Sequence, residues 1–380
     1  MTRTLTLTNA RIVTADEVFT GTVQVADGRI AALSSGASAV PGAIDCEGDY
    51  LIPGLVELHT DNMEKHMMPR PGVEWPLLSA MLIHDAQVAA AGITTVFDSI
   101  RIGEVEAKAA KPLAVAPIIQ AIRQGIDARL MRVDHLLHLR CEIAADDVID
   151  ELTPLLDEPL LKLLSIMDHT PGQRQWTNVD KFRIYTQKNT HWDEAKLQSV
   201  IVELTALQAR NAVPNRRSIV GFARARGIAV ASHDDTTAAH VDEAVADGVS
   251  ISEFPTTVEA ARAARANGIG IMMGAPNVVR GGSHSGNVAA ADLARHDLLD
   301  ALSSDYVPAS LLYAAFLLRD QAGWSLPQAV ATVTKNPARM ANLSDRGEIA
   351  PGLRADLVRV RESEHIPHPL MIWVNGQRAA

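Results

Sequence analysis

The stretch Leu51-Ile52-Pro53-Gly54-Leu55-Val56-Glu57-Leu58-His59-Thr60-Asp61-Asn62 runs from an apolar strand into two side chains able to ligate a metal ion. Side chains alternate across a strand, so His59 and Asp61 share one face at its end. Two ligands spaced in this way, at the carboxyl end of a buried strand, can hold one cation without distorting the backbone. The competing structural reading is a buried histidine beside a turn aspartate. The rest of the chain decides between them.

Upstream of this stretch the chain reads as β. Leu5 to Ile12, Gly21 to Val25 and Arg29 to Leu33 are short strands, and Asp27-Gly28 is a hairpin signal. Downstream, short apolar strands alternate with alanine-rich helical stretches. The strands are Leu51–Leu58, Thr94–Asp98, Leu130–Cys141, Leu160–Met167, Ile228–Ser232, Val249–Phe254, Gly270–Met273 and Ala301–Ser304. Helical stretches at Ser79–Ala90, Ala144–Leu156, Asp193–Asn211, Ala238–Ala246, Val258–Ala266 and Ala289–Leu299 fall between most of them. Eight strands alternating with helices predict an α/β fold, a parallel (β/α)₈ TIM-type barrel, with an open doubly wound sheet as the alternative. From about Arg346 the tail is β-like again, with Asn375-Gly376 as a turn. The expected domains are residues 1–52 and 345–380, together a small β-sandwich-like domain built from both chain ends, and residues 53–344, the barrel.

Active sites of such barrels lie at the carboxyl ends of the strands. Here the first strand ends in His59 and Asp61, the third in Glu142, the fourth in Asp168-His169, the fifth in His233-Asp234-Asp235, and the eighth in Asp305; the sixth carries Glu253. A lone histidine at a strand end is ordinarily structural. Three histidines and several carboxylates at separate strand ends instead predict a mixed imidazole–carboxylate centre for Zn, Mn or Fe. Six ligands suffice for two divalent metal ions bridged by one carboxylate, an arrangement suited to metal-assisted hydrolysis.

A hydrophobic content of 47% supports a large core, and a net charge of -10 disfavours nucleic acid or an anionic membrane as the main partner. Two distant cysteines, Cys46 and Cys141, suit a reducing, cytoplasmic setting, and no apolar run approaches a membrane span. The N-terminus alternates polar and apolar residues like a strand and is not read as a signal peptide. A homo-oligomer is compatible with all of this.

The pattern resembles the amidohydrolase superfamily. Members carry a strand-one ligand pair, usually His-x-His, then a bridging Lys or Glu, two later histidines and a final Asp. The entry Leu51–His59 is similar to theirs, as are Asn336-Pro337-Ala338 and Asp345-Arg346-Gly347-Glu348-Ile349-Ala350-Pro351-Gly352-Leu353-Arg354-Ala355-Asp356-Leu357-Val358 at the return to the β domain. Two departures, Asp61 for the second histidine and Glu142 for the bridging lysine, accompany Met167-Asp168-His169-Thr170-Pro171-Gly172-Gln173, Ala231-Ser232-His233-Asp234-Asp235 and Gly274–Asn287. Together they resemble a diphosphatase branch that acts on a phosphonate-bearing ribose 5-triphosphate. The resemblance implies a hydrolase of phosphonate metabolism releasing pyrophosphate from a phosphorylated sugar. It implies metal ligands His59, Asp61, Glu142, His169, His233 and Asp305, with Asp305 also shuttling a proton. Glu253 is the alternative bridge or a supporting residue; Asn62 and His66 are candidates to ligate or to support a ligand, and Asp234 to support one. His84, His135, His138, His191 and His365 match no motif and read as structural or surface residues.

A triphosphate needs donors. The loop Arg280-Gly281-Gly282-Ser283-His284 follows the seventh strand, where this fold often binds phosphate, and its glycines admit close backbone approach. Arg174 and Lys65 are further candidates on loops above the barrel, and Arg101 follows the second strand; a solvated surface charge is the bland reading of each. The polar stretch Thr170–Thr190 is a candidate lid. Two rival functions stand beside the diphosphatase. One is a cyclic-amide hydrolase or deaminase, disfavoured by Asp61 and the basic seventh loop. The other is a metal-free, non-catalytic scaffold, disfavoured by the full ligand set.

Overall fold

The computed structural model describes residues 4–105, 114–190, 192–283 and 286–380. Two eight-stranded sheets organise them. The barrel strands are β1 (Leu55–Thr60), β2 (Ile93–Ile102), β3 (Asp134–Glu142), β4 (Leu161–Met167), β5 (Ala229–His233), β6 (Ile251–Glu253), β7 (Gly270–Gly274) and β8 (Ala301–Ser303). They pair in sequence order, and an isolated parallel bridge between Thr60 and Asp305 joins the last to the first. This is the (β/α)₈ barrel expected from the alternation. Every residue of β1 and of β5 is buried, as a parallel sheet covered on both faces requires.

The second sheet combines both ends of the chain. Strand Thr4–Val13 lies at its centre, flanked on one side by Val18–Ala26 and Arg29–Ser35 and on the other by Tyr50–Pro53, Leu357–Ser363 and Ile366–Val374. Its core gathers Leu7, Ile12, Val23, Ile30, Leu51, Leu357 and Trp373. Both hairpin signals act as expected. Asp27 and Gly28 have φ of 47° and 79°, and Asn375 and Gly376 have 51° and 70°, the paired positive values of a two-residue hairpin turn.

The decisive stretch divides between the sheets. Tyr50–Pro53 pairs with Leu357–Val360 in the terminal sheet, and β1 begins only at Leu55. Gly54 makes the crossing possible, because a Cβ there would stand 2.1 Å from Thr94 Oγ1. Periodicity alone ran the two strands together.

Other boundaries also move. A helix at Val115–Asp127, between β2 and β3, had no counterpart in the sequence reading. The helix expected over Asp193–Asn211 continues to Arg226, with Pro214 inside it. The stretch Thr170–Thr190 is not a structureless loop: it contains a short turn at Arg174–Trp176 and a helix at Val179–Asn189, capped by Asn178. Trp176 and Phe182 pack edge to face there, with ring centroids 5.5 Å apart.

Two compact units are distinguished within the chain: Met1–Asp98, Pro117–Leu136 and Met273–Ala380 form one, and Ser99–Ala116 with Leu137–Met272 form the other. Among the described residues no helix is long and apolar enough to cross a membrane.

Candidate metal centre

In the first unit, His59 on β1, Asp61 directly after it and Asp305 in the turn after β8 come together. One ligand atom from each lies within 4.8 Å of the others, close enough to share one ion at about 2.0–2.2 Å from each. His59 is 1% exposed, whereas the Asp61 side chain is 31% exposed, with its Oδ1 3.8 Å from His59 Nε2. A buried imidazole and an accessible carboxylate suit a centre with one open side.

The backbone registers these residues tightly. Asp305 N–H donates to His59 O at 3.1 Å, and Asp61 N–H donates to Asp305 O at 2.9 Å. The Thr60 hydroxyl donates to the same carbonyl at 2.9 Å. Asp305 itself holds φ of 54°, an unusual backbone for a residue with a Cβ. Asp234 and Phe254, directly after β5 and β6, have φ of 59° and 58°. Such strain gathers where side chains are aimed for function.

From the sequence Glu57 is simply part of an apolar strand, and the structure gives it a specific task. It is fully buried. Its Oε1 accepts the His59 backbone N–H at 2.7 Å and its Oε2 accepts the Ser304 N–H at 2.6 Å. One carboxylate therefore fastens the backbone beside two candidate ligands. Burial outweighs these hydrogen bonds and raises its pKa to about 7.

In the second unit, His169, His233 and Asp234 bring ligand atoms within 4.8 Å of one another. His233 Nε2 lies 3.4 Å from Asp234 Oδ2, and the two imidazole rings stand 5.6 Å apart. Each histidine also meets a carboxylate through Nδ1: His169 with Glu142 Oε2 at 2.6 Å, and His233 with Glu253 Oε2 at 2.6 Å. A carboxylate on one ring nitrogen fixes the tautomer and leaves Nε2 as the ligating atom. The donor set thus fits divalent metals in both units. Asp234, expected only to support the site, joins the two histidines directly. Glu142 and Glu253 take equivalent stations behind one histidine each.

Asn62 and His66 sit in helix α1 (Asn62–Met67), immediately after β1. His66 Nε2 meets Gln87 Oε1 at 2.9 Å. Lys65 is exposed and donates to the Tyr306 carbonyl. Arg174 departs from the sequence reading as a substrate-binding residue. It is buried, with its guanidinium bonded to Asp235 and, at 3.0 Å, to Glu243, so two carboxylates already neutralise it. Arg280 is exposed at the end of a helix beginning directly after β7, capped by Gly281 at φ 76°. Gly282 and Ser283 follow it. His284 lies outside the described residues, as does His191.

The chain matches the amidohydrolase family over residues 86–380, and it belongs to that family. It is 48% identical to the alpha-D-ribose 1-methylphosphonate 5-triphosphate diphosphatase of Escherichia coli (strain K12) over 374 residues, 98% of this chain and 99% of that one. Among solved structures, its fold is similar to 5-methylcytosine deaminase from Klebsiella pneumoniae (TM-score 0.65, 15% identity, covering 98% of this chain and 97% of that one). It is likewise similar to N-acetylglucosamine-6-phosphate deacetylase from Pasteurella multocida (TM-score 0.63, 15% identity, covering 99% of each chain).

Proposed function

We propose that this protein is a metal-dependent diphosphatase that hydrolyses α-D-ribose 1-methylphosphonate 5-triphosphate to the 5-phosphate and pyrophosphate. The observation that carries the substrate is the 48% identity to the Escherichia coli diphosphatase, which extends over 98% of this chain. The ligand-type residues at the strand ends supply the chemistry. In this reading the barrel, whose first strand begins at Leu55, carries the reaction, and the sheet built from both chain ends, which includes Tyr50–Pro53, supports it.

His59, Asp61 and Asp305 in one unit, and His169, His233 and Asp234 in the other, would hold two divalent ions. Such ions, when bound, make water a stronger nucleophile and neutralise charge on phosphoryl oxygens. Asp305 accepts the proton of the attacking water, and its fixed backbone keeps that carboxylate in place. Glu142 and Glu253 hold the His169 and His233 rings in the ligating tautomer. Arg280 binds the departing phosphates and the exposed Lys65 assists it, while the Gly281 and Gly282 N–H groups cap the helix through the Val278 and Asn277 carbonyls. The water attacks the phosphorus nearest the ribose, so pyrophosphate leaves as one piece.

The test is pyrophosphate release from the 5-triphosphate by metal-loaded protein, with cytosine and a cyclic amide as comparison substrates. Pyrophosphate release with no amide or amine hydrolysis is expected. Turnover of either comparison substrate without pyrophosphate would replace this reading with the cyclic-amide or deaminase one.

A further inference from the structure

The four histidine and aspartate residues that no motif singled out, His84, Asp85, Asp98 and His135, form one buried chain. All four are at most 2% exposed, and all lie in the first unit. Helix α2 (Leu77–Ala90) carries His84 and Asp85, β2 carries Asp98, and β3 opens with His135 next to its first residue. Asp98 stands at the centre: Oδ1 meets His84 Nε2 at 2.9 Å and Oδ2 meets His135 Nδ1 at 2.8 Å. The far side of His135, Nε2, lies 3.4 Å from Asp85 Oδ1. Asp85 Oδ2 in turn accepts from the Arg132 guanidinium at 2.9 Å, and its Oδ1 accepts the Arg132 backbone N–H at 2.7 Å.

The chain ends at Asn62. Its Nδ2 meets His84 Nδ1 at 3.0 Å and donates to Gln87 Oε1 at 3.1 Å. With the Nε2 proton of His84 directed at Asp98, Nδ1 is an acceptor, and the Asn62 amide must present its nitrogen. Both Asn62 N–H groups are then committed. Its Oδ1 is buried with no hydrogen-bond partner among the described residues. An amide left to itself would turn to satisfy that oxygen, so its orientation is imposed by the chain behind it. Asn62 is also the first residue of α1, and its neighbour Asp61 is the N-cap, making no side-chain capping bond. The helix start is therefore tied to α2 through Asn62.

We propose that the Asp98-centred chain is a positioning device for Asp61, transmitted through His84 and the Asn62 amide. The proposal rests on the reading of Asp61 as a metal ligand. The same side chains could themselves be taken for a metal site, since His84, Asp98 and His135 offer ligand atoms within 4.8 Å. But both Asp98 oxygens and the facing nitrogens already meet at hydrogen-bond distance, and Asp85 with Arg132 completes the set. The arrangement is that of a satisfied hydrogen-bonded network.

The test measures Zn²⁺ affinity of the full chain by competition with a chromophoric chelator, and needs no substrate. Asn62→Ala and Asp98→Asn should each lower affinity by about 10- to 100-fold, the usual effect of removing a residue that supports a metal ligand. Ile12→Val, a core change in the terminal sheet, is the control for stability: it should lower the melting temperature and leave affinity unchanged. Affinity that tracks melting temperature across all three variants, or that stays at the wild-type value in Asn62→Ala, overturns the proposal. Should Asp98→Asn fail to fold, Asn62→Ala decides alone. A third equivalent of Zn²⁺ lost on His135→Gln would also overturn it, by making the chain a metal site. Wild-type protein that binds Zn²⁺ but releases no pyrophosphate would end the diphosphatase reading and leave this one standing. Unchanged variants in a protein that does release pyrophosphate would do the reverse.

Discussion

The Glu57 carboxylate accepts the backbone N–H of Ser304 at 2.6 Å while its other oxygen accepts that of His59 at 2.7 Å. The first and eighth barrel strands are thereby joined by a side chain directly beneath the residues that carry the proposed chemistry. Glu57→Gln keeps one acceptor oxygen and sets an amide nitrogen against a backbone N–H. A buried donor left without an acceptor costs about 1–3 kcal/mol. Chemical denaturation of the metal-free protein should show a loss of that order, accompanied by weaker metal binding. Wild-type stability in the variant would mean that the clasp contributes nothing.

Asp305→Asn should reduce kcat by on the order of 10²-fold or more, with KM much less affected. Asparagine keeps the shape and the strained backbone register but cannot accept the proton from water. Steady-state kinetics on the 5-triphosphate decide the matter, and a variant with full kcat and a raised KM would remove the proton-transfer role.

Arg280→Ala should leave metal content intact and lower kcat/KM for the triphosphate. A charge-assisted hydrogen bond to phosphate contributes about 1.5–3 kcal/mol, equivalent to about 10- to 150-fold. The loss should be smaller on the 5-diphosphate if Arg280 contacts the terminal phosphate. An unchanged kcat/KM on the triphosphate would return Arg280 to a solvated surface charge.

His135 gives stability a specific pH dependence. Burial alone would lower its pKa, but the Asp98 charge and the bonds to Asp85 and Asp98 raise it from 6.5 to about 10. The folded state therefore binds the proton more tightly than the unfolded chain. This contribution is fully present below about pH 6.5 and is lost as pH rises through about 10. Denaturation of wild type and His135→Gln at pH 6, 8 and 10 (chosen to span about that window) should show a stability difference that shrinks with rising pH. A difference constant across the series would contradict the charged imidazole.

Much of the fold was legible because its signals are local. Strand alternation placed His59 and Asp61 on one face, and the same strand-end logic marked His169, His233 and Asp305 as candidates, whose ligand atoms the structure groups with neighbouring ones. Asp27-Gly28 and Asn375-Gly376 announced their hairpins. What stayed hidden depends on pairs distant in sequence. Glu57 reads as an interruption of an apolar strand until Ser304 is placed beside it. His84 and His135 read as structural or surface histidines because nothing in their own segments marks Asp98 as their common partner. Arg174 looked available because Asp235 and Glu243, which neutralise it, lie on other elements. Gly54 carried a signal that could have been used: a glycine in the middle of an apolar strand marks a bend or a close backbone approach. Here it separates two sheets.

The most direct test of the central claim is hydrolysis of α-D-ribose 1-methylphosphonate 5-triphosphate in ¹⁸O-labelled water, with products resolved by phosphorus NMR. Attack on the phosphorus nearest the ribose predicts one ¹⁸O in the 5-phosphate and unlabelled pyrophosphate. Label in the pyrophosphate, or release of orthophosphate in its place, would contradict the account.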